Sequence, residues 1–144
     1  MMRRTVQRLL GVGRLAGLLF AVVRWATHDK NDPCGHDIPL SKLVRQLRDP
    51  DPMVRCRAAH LIGHLGPEAK DAVPALIAAL KDDKNSGLRY HAARALGDIG
   101  PAAKDALPAL VIASKEDKDP AVRFRAAEAI ERIDPEAAKK AGIP

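Results

Sequence analysis

A 34-residue repeat constrains this chain more than any other feature of its sequence. Arg-Cys-Arg-Ala-Ala at 55–59 returns as Arg-Tyr-His-Ala-Ala at 89–93 and as Arg-Phe-Arg-Ala-Ala at 123–127. Ala-Lys-Asp-Ala-Val-Pro-Ala-Leu at 69–76 returns as Ala-Lys-Asp-Ala-Leu-Pro-Ala-Leu at 103–110. Gly66-Pro67 and Gly100-Pro101 keep the same offset, and Asp134-Pro135 stands in the third position. Self-similarity at such a period marks stacked units, none of which can bury its apolar face alone.

Two apolar stripes run through each unit. One carries Val54, Ala58, Leu61, Ile62 and Leu65, then Leu88, Ala92, Ala95, Leu96 and Ile99, then Val122, Ala126, Ala129, Ile130 and Ile133. Steps of four, three, one and three describe one face of an α-helix. The other carries Val73, Leu76, Ile77 and Leu80, then Leu107, Leu110 and Val111, with Leu43, Val44 and Leu47 as the first-unit counterpart. The punctuation agrees. Asp71 and Asp105 are expected as N-caps, Pro74 and Pro108 fall in first turns, and Gly66 and Gly100 close the second helices. Asp49-Pro50-Asp51-Pro52, residues 82–87 and Asp119-Pro120 mark turns. The pattern predicts three helical hairpins, at about 38–66, 68–100 and 102–134, and a short terminal helix from 135 to about 141. Hydrophobic residues make up 47% but aromatics only 3%, so alanine and aliphatic side chains must build the core.

Pro-Ala-Leu-x-x-Ala-Leu-Lys-Asp at 74–82, followed by Leu-Arg-x-x-Ala-Ala-x-x-Leu-Gly-x-Ile-Gly at 88–100, resembles the HEAT repeat in its short, phycobilisome-lyase-like form. The resemblance spans roughly three quarters of the chain. It implies an all-α fold: a right-handed α-α superhelix, or α-solenoid, of about three HEAT-like helical hairpins. It also implies a structural ladder in which an acidic turn residue meets the next repeated arginine. The matching residues are Asp49, Asp82 and Glu116 with Arg55, Arg89 and Arg123.

By the same resemblance the second helices line a groove. Its variable columns are Cys56/Tyr90/Phe124, Arg57/His91/Arg125, His60/Arg94/Glu128 and His64/Asp98/Arg132. Arg57, His60, His64, Tyr90, His91, Arg94, Phe124, Arg125 and Arg132 are the candidate partner-binding residues, because arginine and tyrosine anchor interfaces and the set suits an acidic protein or peptide. Ordinary solvated helix faces, with Tyr90 and Phe124 filling gaps between repeats, remain the structural reading of the same columns. The expected function is a protein-interaction scaffold. Two alternatives stay open: a bilin-lyase-like auxiliary protein and a nucleic-acid-binding HEAT-like domain.

No catalytic residue, cofactor or metal site is assigned. Glycine-rich phosphate loops, nucleophile elbows and zinc ribbons do not occur. His60 and His64, four apart with Cys56 a turn earlier, have a spacing that can hold a transition metal. The sequence supplies no further ligand beside them, and no His-Glu pair of the kind HEAT-like hydroxylases use for iron.

The net charge is +6. Residues 1–37 hold six Lys/Arg against three Asp/Glu, and residues 38–144 hold eighteen against fifteen. The repeats are therefore only mildly basic, without the concentrated excess that phosphate-backbone binding needs. Two cysteines, Cys34 and Cys56, make no disulfide framework. Residues 1–37 form a separate segment: five arginines and no acid up to His28, an apolar run at 15–23, then a polar linker. Nine apolar residues cannot span a bilayer, which takes about 20. A signal, a membrane anchor through residues 1–28, an organellar presequence, a helix capping the solenoid and an unstructured tail are all compatible with it. Membrane association or export is the favoured expectation over a cytoplasmic location.

Overall fold

The structure, a computed structural model, describes residues 38–81 and 84–144. The expectations for the N-terminal segment, Cys34, Asp82 and Asp83 lie outside the described residues. The repeats belong to the compact unit Cys34–Pro144.

All regular structure among the described residues is helical: α1 (Leu40–Gln46), α2 (Pro52–Leu65), α3 (Val73–Leu80), α4 (Ser86–Ile99), α5 (Leu107–Glu116), α6 (Pro120–Ile133) and α7 (Pro135–Lys140). Two 3₁₀ segments, Gly66–Ala72 and Gly100–Ala106, lead into α3 and α5. Helices α1/α2, α3/α4 and α5/α6 pair as hairpins, and α4 packs between α2 and α6. This is the expected α-solenoid.

The repeated columns build its interior. Ala58, Ala92 and Ala126 are buried, as are Leu61, Ala95 and Ala129, and Ile62, Leu96 and Ile130. Leu43, Leu76 and Leu110 supply the matching core from the first helices. Each such aliphatic side chain contributes about 1.5–3 kcal/mol on burial. Val54 and Leu65 of the first hairpin are only half-buried.

Caps fix where the second helices begin. Asp51 accepts from the Met53 amide at 2.8 Å, Asn85 from Leu88 at 3.1 Å and Asp119 from Ala121 at 2.9 Å. Asp134 starts α7 by accepting from Glu136 and Ala137. The expected caps Asp71 and Asp105 do not form. The chain enters α3 and α5 from 3₁₀ turns, with Ala72 and Ala106 at the cap positions already helical. Side-chain capping needs extended backbone there, so both aspartates are left exposed in the 3₁₀ segments. Pro74 and Pro108 do fall in the first turns of α3 and α5. Gly66 and Gly100 close α2 and α4 at φ 57° and 76°, where a side chain would be strained.

The arginine ladder also departs from expectation. Arg89 grips Asp117 with both ends of its guanidinium, at 2.7 and 2.9 Å. Glu116, the acid expected to meet Arg123, is the last residue of α5 and exposed. Asp117 follows it with extended backbone, which takes its carboxylate off the helix surface and towards α4. Arg123 holds the carbonyl of Asp117 in its own turn at 2.7 Å, and Arg55 likewise holds that of Asp49 at 2.8 Å.

Candidate functional site

Helices α2, α4 and α6 approach each other where their side chains are smallest. A methyl group placed on Gly63 would lie 3.3 Å from the Ala95 Cα, and one on Gly97 would lie 3.0 Å from the Ala129 Cα. This close approach brings the variable columns of neighbouring repeats within bonding reach.

At the α4–α6 junction the polar groups form a closed network. Arg125 donates from Nε to the Tyr90 hydroxyl at 2.8 Å and from Nη1 to Glu128 at 2.7 Å. Its guanidinium lies 5.1 Å from the Tyr90 ring centroid and 6.0 Å from that of Phe124, within cation–π range. Arg132 bridges Asp98 at 2.7 Å and Glu128 at 2.8 Å. Arg94 reaches Asp98 at 3.6 Å. These five charged residues wall a concavity of about 250 Å³ whose floor is Gly97 and Ala129. The hydrogen bond to Tyr90, then that to Glu128, pushes the Arg125 pKa up against the opposing effect of burial.

At the α2–α4 junction the same columns hold imidazoles. His60 and His64 meet Nε2 to Nε2 at 3.0 Å. The His91 ring lies 5.5 Å from that of His60 and edge-on to Tyr90 at 5.3 Å. Burial lowers the His60 pKa, and the charges of His64 and Arg94 lower it further against an opposing pull from Asp98. Burial, then His60 and Arg94, does the same to His91.

Seven of the nine candidate residues thus join one continuous surface that runs from His64 through His60, His91, Tyr90 and Arg125 to Arg132, with Arg94 alongside. Phe124 touches that surface only through Arg125 and is 67% exposed. Arg57 is exposed and makes no ion pair with the described residues. Cys56, a free thiol, turns away towards the start of α4, with Sγ 4.0 Å from Asn85 Oδ1, and burial raises its pKa.

Asp98 and Glu128 stand in the variable columns but were left out of the candidate set, although they organise its arginines. Their signal was present in sequence: Arg94/Asp98 and Glu128/Arg132 are i,i+4 pairs of opposite charge. Asp98 and Arg132 also occupy one column in successive repeats.

The profile of HEAT repeats matches residues 40–131. The chain belongs to the HEAT repeat family, whose repeats commonly serve as protein-interaction scaffolds and are generally non-enzymatic. Among solved structures it is similar to the crystal structure of an engineered protein, with 28% identity and a TM-score of 0.59 over 72% of this chain and 51% of that one. The chain spans about half the length of that protein. No curated protein matches it.

Proposed function

We propose that this chain is a protein-interaction scaffold that docks an acidic protein or peptide segment along α2, α4 and α6. One observation carries the reading: this face gathers Arg57, Arg94, Arg125 and Arg132, with Asp98 and Glu128 set among them, and three of the four arginines are held in place before any partner arrives. A guanidinium already fixed by a tyrosine or a carboxylate loses little further freedom when it binds. The Tyr90–Arg125–Phe124 stack adds an amphipathic anchor of the kind that dominates interface energies. A phosphate backbone is less suited to the repeats, because residues 38–144 hold eighteen Lys/Arg against fifteen Asp/Glu, without the concentrated excess such binding needs.

An array of peptides graded in net charge tests this with the full chain and its Tyr90→Ala/Arg94→Ala/Phe124→Ala/Arg125→Ala variant, both checked for helicity by circular dichroism. The wild type is expected to enrich acidic peptides and the folded variant to lose them. Equal capture by both, or no charge preference, overturns the assignment. Nucleic-acid binding that collapses with salt would replace it with the nucleic-acid reading, and a visible absorption band after co-expression with a bilin would favour the lyase-like one.

A further inference from the structure

The imidazole end of the groove carries chemistry that docking an acidic segment does not use. His60 and His64 lie one turn apart on α2 and project from the same face. Their rings stand 84° to one another with centroids 4.5 Å apart, and the two Nε2 atoms face each other at 3.0 Å. Two imidazole nitrogens held at about 2.0–2.1 Å from one cation are separated by roughly 2.9–3.4 Å for bond angles of about 90–110°. The observed separation falls inside that bite. The same distance is that of a hydrogen bond between the rings; a shared cation would replace its proton, the imidazole that gives it up carrying its N–H on Nδ1 instead.

We propose that His60 and His64 form an open, two-imidazole site for a first-row transition cation of the zinc or copper class. Imidazole pairs favour these ions over magnesium and calcium, which take oxygen ligands. Among the described residues no three His, Cys, Asp or Glu side chains converge, so two protein ligands leave the other coordination positions to water or to a donor group brought by a docked partner. Cys56 is committed to the Asn85 side and takes no part. His91, on α4, stands one ring beyond His60 and borders the site from the neighbouring repeat. Its Nδ1 is buried without a hydrogen-bond partner.

The test uses the free full chain, so it succeeds or fails independently of the docking reading. Copper(II) and zinc(II) chlorides are titrated calorimetrically into the wild type, His64→Gln and His60→Gln, with magnesium chloride as the control. Both variants are expected to lose roughly tenfold or more in affinity for copper and zinc, in keeping with the penalty of disturbing a metal site. His64 is exposed, so its replacement leaves the fold intact, as circular dichroism would verify. Undiminished binding by His64→Gln, or no copper binding by the wild type, overturns the proposal.

Discussion

Helices α4 and α6 carry two sets of arginines that behave in opposite ways. Arg89 is 7% exposed and clamps Asp117, joining the second hairpin to the turn of the third. Arg132, on the groove face, reaches two carboxylates at similar distances, yet half of its side chain remains in water. Distance does not separate the two sets; solvent does. A desolvated pair that loses one member strands a charge, whereas an exposed pair that loses one member is rehydrated. The first set holds the solenoid together, and the second stands in the groove with water close by.

The sharpest way to break this distinction is Arg89→Ala. It should cost about 3 kcal/mol, because Asp117, whose side chain is largely out of water, would keep only the Asp119 amide and the charge of Arg123; urea unfolding measures it, and a loss under about 1 kcal/mol would place Arg89 with the surface set. Gly97→Ala should cost about 1–2 kcal/mol, the overpacking against Ala129 outweighing the better helix propensity of alanine. Gly63→Ala, with slightly more room, should cost less in the same assay.

Acid provides a milder probe. Burial alone would raise the Asp117 pKa, but the hydrogen bonds from Arg89 and the Asp119 amide, with the charges of Arg89 and Arg123, hold it below its ordinary value. A depressed carboxylate stabilises the fold above its unfolded pKa of about 3.9, and that contribution is lost as pH falls through the lower folded value. The wild type should therefore lose stability below about pH 4, and Arg89→Ala should lose less over the same range; parallel curves would detach the acid response from this pair. Arg132→Ala should have the smallest effect, under about 1 kcal/mol and weaker still at high salt. A larger effect would mean that the groove network is structural after all.

The hairpins and the buried columns were legible because burial imposes a helical period, and a stack repeats it at a fixed offset. Pro74 and Pro108 were placed correctly for a local reason, the missing amide. Asp71 and Asp105 were misplaced because capping depends on the backbone conformation of the cap residue, which the 3₁₀ entry decides. Glu116 and Asp117 are adjacent acids at the end of α5, and one-dimensional spacing cannot tell which leaves the helix. In the groove the columns were readable, but their internal pairing was not. Asp98 to Arg132 and Tyr90 to Arg125 cross between helices, and so depend on how closely α4 and α6 approach.

By itself the sequence determined the helices, their pairing into hairpins, the HEAT repeat family and the columns that face solvent, since each follows from periodicity and local backbone chemistry. Only the tertiary structure decided which arginines are buried and which are displayed, and that two histidines meet Nε2 to Nε2. Those outcomes turn on desolvation and on distances of a few ångströms between chain segments, set by the glycine and alanine contacts that bring the second helices together.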